Sequence, residues 1–163
     1  MTQVPYLGRQ LPVELRRTPF ASGRLIEHEG VIKAAIPASI PEHAVAVELR
    51  KMVEAWLRAQ ARRILGERVR AVCDRHDLRI GTITIKDTRS RWGSCSIRRN
   101  LNFNWRLVMA PPWVIEYLVV HETAHLDEMN HSERFWRLVA QRCPDYRSHE
   151  AWLKTCGASL LSW

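Results

Sequence analysis

His121-Glu122-Thr123-Ala124-His125 constrains this chain more than any other stretch. Two imidazoles four residues apart lie one turn above another on the same face of a helix, so both can aim a nitrogen at one ion only if the segment is helical. Glu122 is then placed to take a proton from a water activated by the metal. After Pro111-Pro112 come Trp113, Val114, Ile115, Tyr117, Leu118, Val119 and Val120, the composition of a helix enclosed by its fold. Burying two His and a Glu without an ion leaves costly unsatisfied groups, so the pattern favours a catalytic zinc site, with one zinc ion per chain, over polar residues on a helix flank.

A third ligand completes such a site. His131 lies six residues after His125, the offset of H-E-x-x-H-x-x-G-x-x-H sites, although Glu128 stands where that pattern has Gly. Asn130 tolerates a left-handed or capping conformation, and with Glu133 it forms a capping-box pattern that opens a helix from Ser132 to about Cys143. His131 is then expected as the first residue of that helix, whose dipole keeps the ring neutral for a metal. His149 and Glu150, in a later helical stretch able to fold back over the site, are the rivals for the third place.

The remaining sequence reads as scaffold. Tyr6 to Val13 and Gly23 to Ile36 read as short strands, the second folded into a hairpin at Glu29-Gly30. Ser39 to Glu42 carries a capping-box signature with Pro41 in the first turn. From there Leu49, Val53, Trp56, Leu57, Ile64, Leu65, Val69 and Val72 recur at helical spacing to about Arg75. Ile80 to Asp87 alternates as a strand, with Asn100 to Val108 as its expected antiparallel partner across the Arg89 to Arg99 loop. The prediction is one α+β domain over residues 1–163: N-terminal strands and a hairpin in 1–38, a long helix in 39–76 and the catalytic core in 78–163. In it a small antiparallel sheet packs on the long helix and on the metal-binding helix. With 163 residues, 46% of them hydrophobic and 7 Trp, the chain is long enough for a core that folds alone.

No basic start precedes an apolar region and no apolar run approaches membrane-spanning length, so a cytoplasmic protein with no membrane partner is expected. Cys73, Cys95, Cys143 and Cys156 form no Cys-x-x-Cys pair, which favours reduced thiols; Cys95 in the Arg-rich loop reads as a small residue in a tight turn before a redox or ligand role.

Four ordered stretches carry a family resemblance: RSRWGSCS at Arg89 to Ser96, LNFNWRLVMAPPWVIEYLVVHETAHL at Leu101 to Leu126, NHSERFW at Asn130 to Trp136 and PDYRSHEAWLK at Pro144 to Lys154. Together they closely resemble the YgjP-like family of small bacterial zinc-metallopeptidase-type proteins, similar in their core to SprT-like and WLM proteins. The resemblance covers the C-terminal half in detail and the N-terminal half in outline. It implies a minimal zincin-like metallopeptidase fold with zinc on His121, His125 and His131 and with Glu122 as general base. It implies much less about the substrate.

Substrate contacts are read more coarsely. An extended peptide or protein substrate commonly lies along an exposed strand edge over the ion, and Asn102 to Trp105, with Asn104 in it, is the candidate edge. Arg89 and Arg91 suit a substrate carboxylate or phosphate as well as an internal ion pair, and Tyr146 suits an oxyanion contact as well as core packing. The net charge of +8, with Arg58, Arg62, Arg63, Arg68 and Arg70 along the long helix, admits a nucleic-acid partner, although such a stripe is usually a solvated face. The function expected is therefore zinc-dependent peptide hydrolysis. Its rivals are hydrolysis of a nucleotide phosphoanhydride, with Arg89, Arg91 or Arg106 on the phosphates, and a basic binding module with structural zinc.

Overall fold

Turn residues divide the N-terminal strands. Leu7 and Gly8, at φ 49° and 77°, and Glu29 and Gly30, at φ 53° and 79°, put two successive residues in the left-handed region, as a two-residue hairpin of type I′ requires. In the computed structural model, which describes residues 1–163, they separate β1 (Gln3–Tyr6) from β2 (Arg9–Thr18) and β3 (Arg24–His28) from β4 (Val31–Pro37). The hairpin at Glu29-Gly30 is present as expected. The single strand expected over Tyr6 to Val13 is instead interrupted by the Leu7-Gly8 turn, and Gly8 lies so close to Pro111 that a Cβ would come within 3.0 Å. β4 enters between β2 and β3, parallel to β2 and antiparallel to β3, in a sheet of order β1-β2-β4-β3.

Helix α1 (Glu42–His76) buries Val45, Leu49, Val53, Leu57, Ala61, Ile64, Leu65, Val69 and Val72, while Trp56 is half-buried against the ring of Tyr6 at 4.8 Å. The capping box expected from Ser39 and Glu42 does not form. Pro41 occupies the cap position in extended conformation, without a side-chain hydrogen bond, and this leaves Ser39 two residues outside the helix. Asp77, left-handed at φ 51°, ends the helix by donating its N–H to the Cys73 carbonyl.

The second sheet corrects the expected antiparallel pair. β5 (Ile83–Lys86) and β7 (Leu101–Asn104) are parallel, because the loop between them contains β6 (Gly93–Cys95), which turns back through Arg99 and pairs antiparallel on the other side of β7. The order is β5-β7-β6. The strand stops at Asn104 rather than Val108, since the Asn104 Oδ1 accepts from Arg106 N–H at 3.0 Å and caps a 3₁₀ turn over Trp105–Met109. Both sheets are thus mixed, not antiparallel, in an α+β fold with four helices.

Helix α2 (Pro112–Ala124) runs through the centre of the molecule, against α1, β6, α3 (Glu133–Arg142) and α4 (Tyr146–Leu161). Val114, Ile115, Leu118, Val119 and Val120 are buried in the same apolar core as Leu57, Leu65, Phe103 and Phe135. No helix is long and apolar enough to cross a membrane.

Candidate metal centre

The histidine motif straddles the end of α2. Ala124 is its last residue and His125 its C-cap in right-handed conformation, which keeps His121 and His125 one turn apart. The chain then winds on, with Asp127 and Glu128 N–H both bonded to the Ala124 carbonyl, until His131 faces the other two rings. No residue between His125 and His131 has a positive φ, so this turn has no need of the Gly that Glu128 replaces. Ser132, not Asn130, caps α3, its Oγ accepting from Phe135 N–H at 3.3 Å. His131 accordingly lies one residue outside the cap rather than in the first turn.

One ring nitrogen from each of His121, His125 and His131 falls within 4.8 Å of the others. Nε2 of His121 and Nε2 of His131 are 3.1 Å apart, close to the roughly 3.3 Å that separates two nitrogens held at 2.0–2.1 Å by a tetrahedral zinc. Nδ1–H of His125 donates to the Glu128 carbonyl at 3.1 Å, which leaves its Nε2 as the free donor. Phe135 closes the floor, stacked on His125 at 4.5 Å and edge-on to His121 at 5.0 Å. Burial first, and then His125 and His131 nearby, push the His121 ring down to about 3, and burial also lowers His125. Neutral imidazoles with convergent lone pairs are what a metal ion needs.

Glu122 is 4% exposed and makes no hydrogen bond or ion pair; burial pushes its carboxyl up to about 8. Its side chain passes directly over Gly93, where a Cβ would stand 2.5 Å from Oε1. Gly93 belongs to β6, and the register places the open edge of the sheet there. Trp92 and Ser96 bond to β7 through their backbones, so by alternation Gly93 and Cys95 turn their N–H and C=O groups away from it. The expected edge at Asn102 to Trp105 is therefore corrected: β7 is the central strand, and β6 is the free edge beside the carboxylate.

The other expected residues are dispersed. Asn104 is 1% exposed and its Nδ2 donates to the Thr88 carbonyl at 2.6 Å, tying down the loop that precedes β6. Arg89 and Arg91 are exposed and enter no ion pair. Arg106 pairs with Asp87, which also pairs with Arg58, and both guanidiniums lie over the Trp105 ring. Tyr146 is buried with its ring stacked on Trp136 at 5.4 Å, and its hydroxyl accepts from Arg147 Nε at 3.2 Å. His149 contacts Cys143 Sγ at 3.5 Å and Glu150 pairs with Lys154 at 2.8 Å; neither is in the histidine cluster. All four cysteines are free.

Gly93 and Phe135 are the site residues that the sequence reading missed. The GSC triplet after Trp92 is the one local sign of Gly93's role, and a ring three residues after a helix-opening Ser is the sign for Phe135.

The family model for the YgjP-like metallopeptidase domain matches residues 1–156. No curated protein and no solved structure shows significant similarity to the chain.

Proposed function

The chain belongs to the YgjP-like metallopeptidase family, and from that premise we propose that it is a zinc-dependent peptidase of minimal zincin-like architecture, with His121, His125 and His131 as ligands and Glu122 as general base. One observation carries the reading: next in the chain to one of three convergent imidazoles, a buried carboxylate without any internal partner lies against the edge strand at Gly93. The donor set fits zinc, being three imidazoles whose nitrogens lie within 4.8 Å of one another, with no fourth protein ligand among them, the composition of a catalytic rather than a structural site.

Zinc there supplies Lewis acidity toward water and toward a carbonyl. The protein's own part is proton handling and alignment. The outward N–H and C=O groups of Gly93 and Cys95 receive an extended peptide as an added strand. Glu122, 2.5 Å from the space a Gly93 side chain would fill, then faces the peptide bond laid along that edge. It takes the proton of the attacking water and returns it to the leaving amine. Its raised pKa suits this return, and the positive charge of a bound ion would lower that pKa and so favour the carboxylate form needed for the first transfer. Of the arginines a phosphoanhydride would use, Arg106 is engaged by Asp87 and stacked on Trp105, while Arg89 and Arg91 are exposed and unpaired, so the nucleotide reading is separated from the peptide one by experiment.

The test is the zinc-loaded protein against a peptide library and a nucleotide panel, with Glu122→Gln as control. Peptide cleavage lost in the variant supports the proposal; nucleotide cleavage alone, or peptide cleavage equal in both proteins, overturns it.

A further inference from the structure

A second site stands apart from the histidines. Along β4, Ile32, Ala34 and Ile36 enter the core, so Lys33 and Ala35 point to the opposite face of the sheet. The register then sets two rows across that face: Arg16, Ala35 and Arg24, and beside them Glu14, Lys33 and Ile26. Arg16 and Arg24 stand on the strands flanking β4, about 10 Å apart in backbone, with Lys33 about 7 Å along the strand. The small Ala35 between them leaves a groove of ≈ 390 Å³. All three cations are exposed, and none has an ion-pair or hydrogen-bond partner.

The positive charge of this face is left uncompensated, and here three such cations share one groove. On α1 the cations are in part paired, Arg58 with Glu54 and Asp87, Arg63 with Glu67 and Arg68 with Glu116, while Arg62 and Arg70 are exposed without an ion pair and are the competing surface. Nothing in the fold holds Arg16, Arg24 or Lys33 in reserve, and the single Glu14 does not balance them. The apolar surface at the same end points to the kind of anion. Phe20, in the loop joining β2 to β3, is 74% exposed and follows directly on the strand that carries Arg16, while Ile26 is 44% exposed in the second row.

We propose that this face of the N-terminal sheet is a binding site for single-stranded nucleic acid, with phosphates on Arg16, Arg24 and Lys33 and a base stacked on Phe20. A phosphodiester chain offers both things the face is built to meet: a charge on every residue for cations at regular strand spacing, and flat apolar rings for an exposed aromatic. A narrow groove between strands two apart admits one extended strand and not a duplex. The site shares no residue with the metal centre, and the inference does not depend on the hydrolase reading.

Fluorescence anisotropy of the full chain with labelled 20-mers of dT and rU, and with a duplex of equal length, tests it; the two single strands distinguish DNA from RNA. Neutralising three phosphates predicts a log–log salt slope near −2 for the single strands, or roughly a twentyfold loss of affinity between 50 and 200 mM salt. Arg16→Ala with Arg24→Ala and Lys33→Ala should abolish that slope, and Phe20→Ala should cost about fivefold or more. Unchanged circular dichroism and zinc content exclude unfolding as the cause. The proposal is overturned if neither single strand binds at 50 mM salt, or if the duplex binds more tightly. It is overturned equally if Arg62→Ala with Arg70→Ala removes binding where the sheet variant does not, or if an acidic peptide of equal charge binds as well as dT.

Discussion

The β2-β3-β4 and β5-β6-β7 units are wound alike. In each the third strand enters between the first two, parallel to the first and antiparallel to the second. Only the second meets the metal centre, and the difference lies in what a glycine faces. In the first unit a Cβ on Gly23 would meet Sδ of Met52 at 3.0 Å and the Ala35 carbonyl oxygen at 3.2 Å, neither of them part of the histidine site. In the second a Cβ on Gly93 would meet Glu122 at 2.5 Å, with its Cγ and Cδ at 2.7 and 2.8 Å. Strand topology thus builds the platform twice, and the candidate site arises where the helix carrying Glu122 crosses an edge strand at a residue with no side chain.

The largest expected effects come from the histidines. His121→Ala or His125→Ala should lose the zinc, and His131→Ala should weaken its binding by orders of magnitude. His149→Ala and Glu150→Ala should stay within about tenfold, as groups outside the ligand set do, in a competitive zinc titration. Zinc kept at full stoichiometry in His121→Ala and His125→Ala would sink the assignment. Next, Glu122→Gln should retain zinc and fold while turnover on a verified substrate falls on the order of a hundredfold or more.

The two glycines break or sharpen the comparison itself. Gly93→Ala should displace Glu122, lowering turnover by tens of fold and stability by about 1–3 kcal/mol with zinc still bound. Gly23→Ala, which crowds Met52 and the Ala35 carbonyl but no residue of the site, should leave turnover unchanged at a cost of about 1 kcal/mol in stability. Equal effects of the two changes on turnover would show that β6 is no more tied to Glu122 than the first unit.

A smaller effect is readable in the pH dependence of stability once zinc is chelated. Burial raises the folded-state pKa of Glu122 from 4.5 to about 8, so between these values the folded chain holds a proton that the unfolded chain has released. Stability from this group is complete below about pH 4.5 and is lost as pH rises through 8. Glu122→Gln does not titrate, so its stability relative to the parent should grow from pH 5 to pH 8 by on the order of a few kcal/mol, measured by denaturant unfolding. A difference that shrinks over that window would mean the carboxyl has a partner that the structure does not show.

What the sequence makes legible is whatever is decided within one or two helical turns. The spacing of His121 and His125, the apolar run from Val114 to Val120, the stripe along α1 and the Glu29-Gly30 hairpin are all of that kind. Strand direction is not: the alternation of Thr82 to Ile85 is the same for a parallel or an antiparallel neighbour, and only the insertion of β6 decides it. Caps were misplaced because Asn130 and Ser132, like Ser39 and Pro41, compete for one position, and the choice falls to how the chain arrives from the preceding element. Gly93 was invisible for a related reason, since it is fixed by a side chain 29 residues further on. Asn104 is polar and lies in a strand, the pattern of a substrate contact, whereas in the fold its amide is engaged by Thr88.

The central claim is that three histidines hold a zinc with one position left open beside Glu122. Zinc K-edge absorption of the purified protein tests it most directly. The account predicts three imidazole nitrogens at about 2.0–2.1 Å and one oxygen from solvent. A sulfur at about 2.3 Å, from Cys95 or Cys143, or a shell closed by a fourth protein ligand, would contradict it.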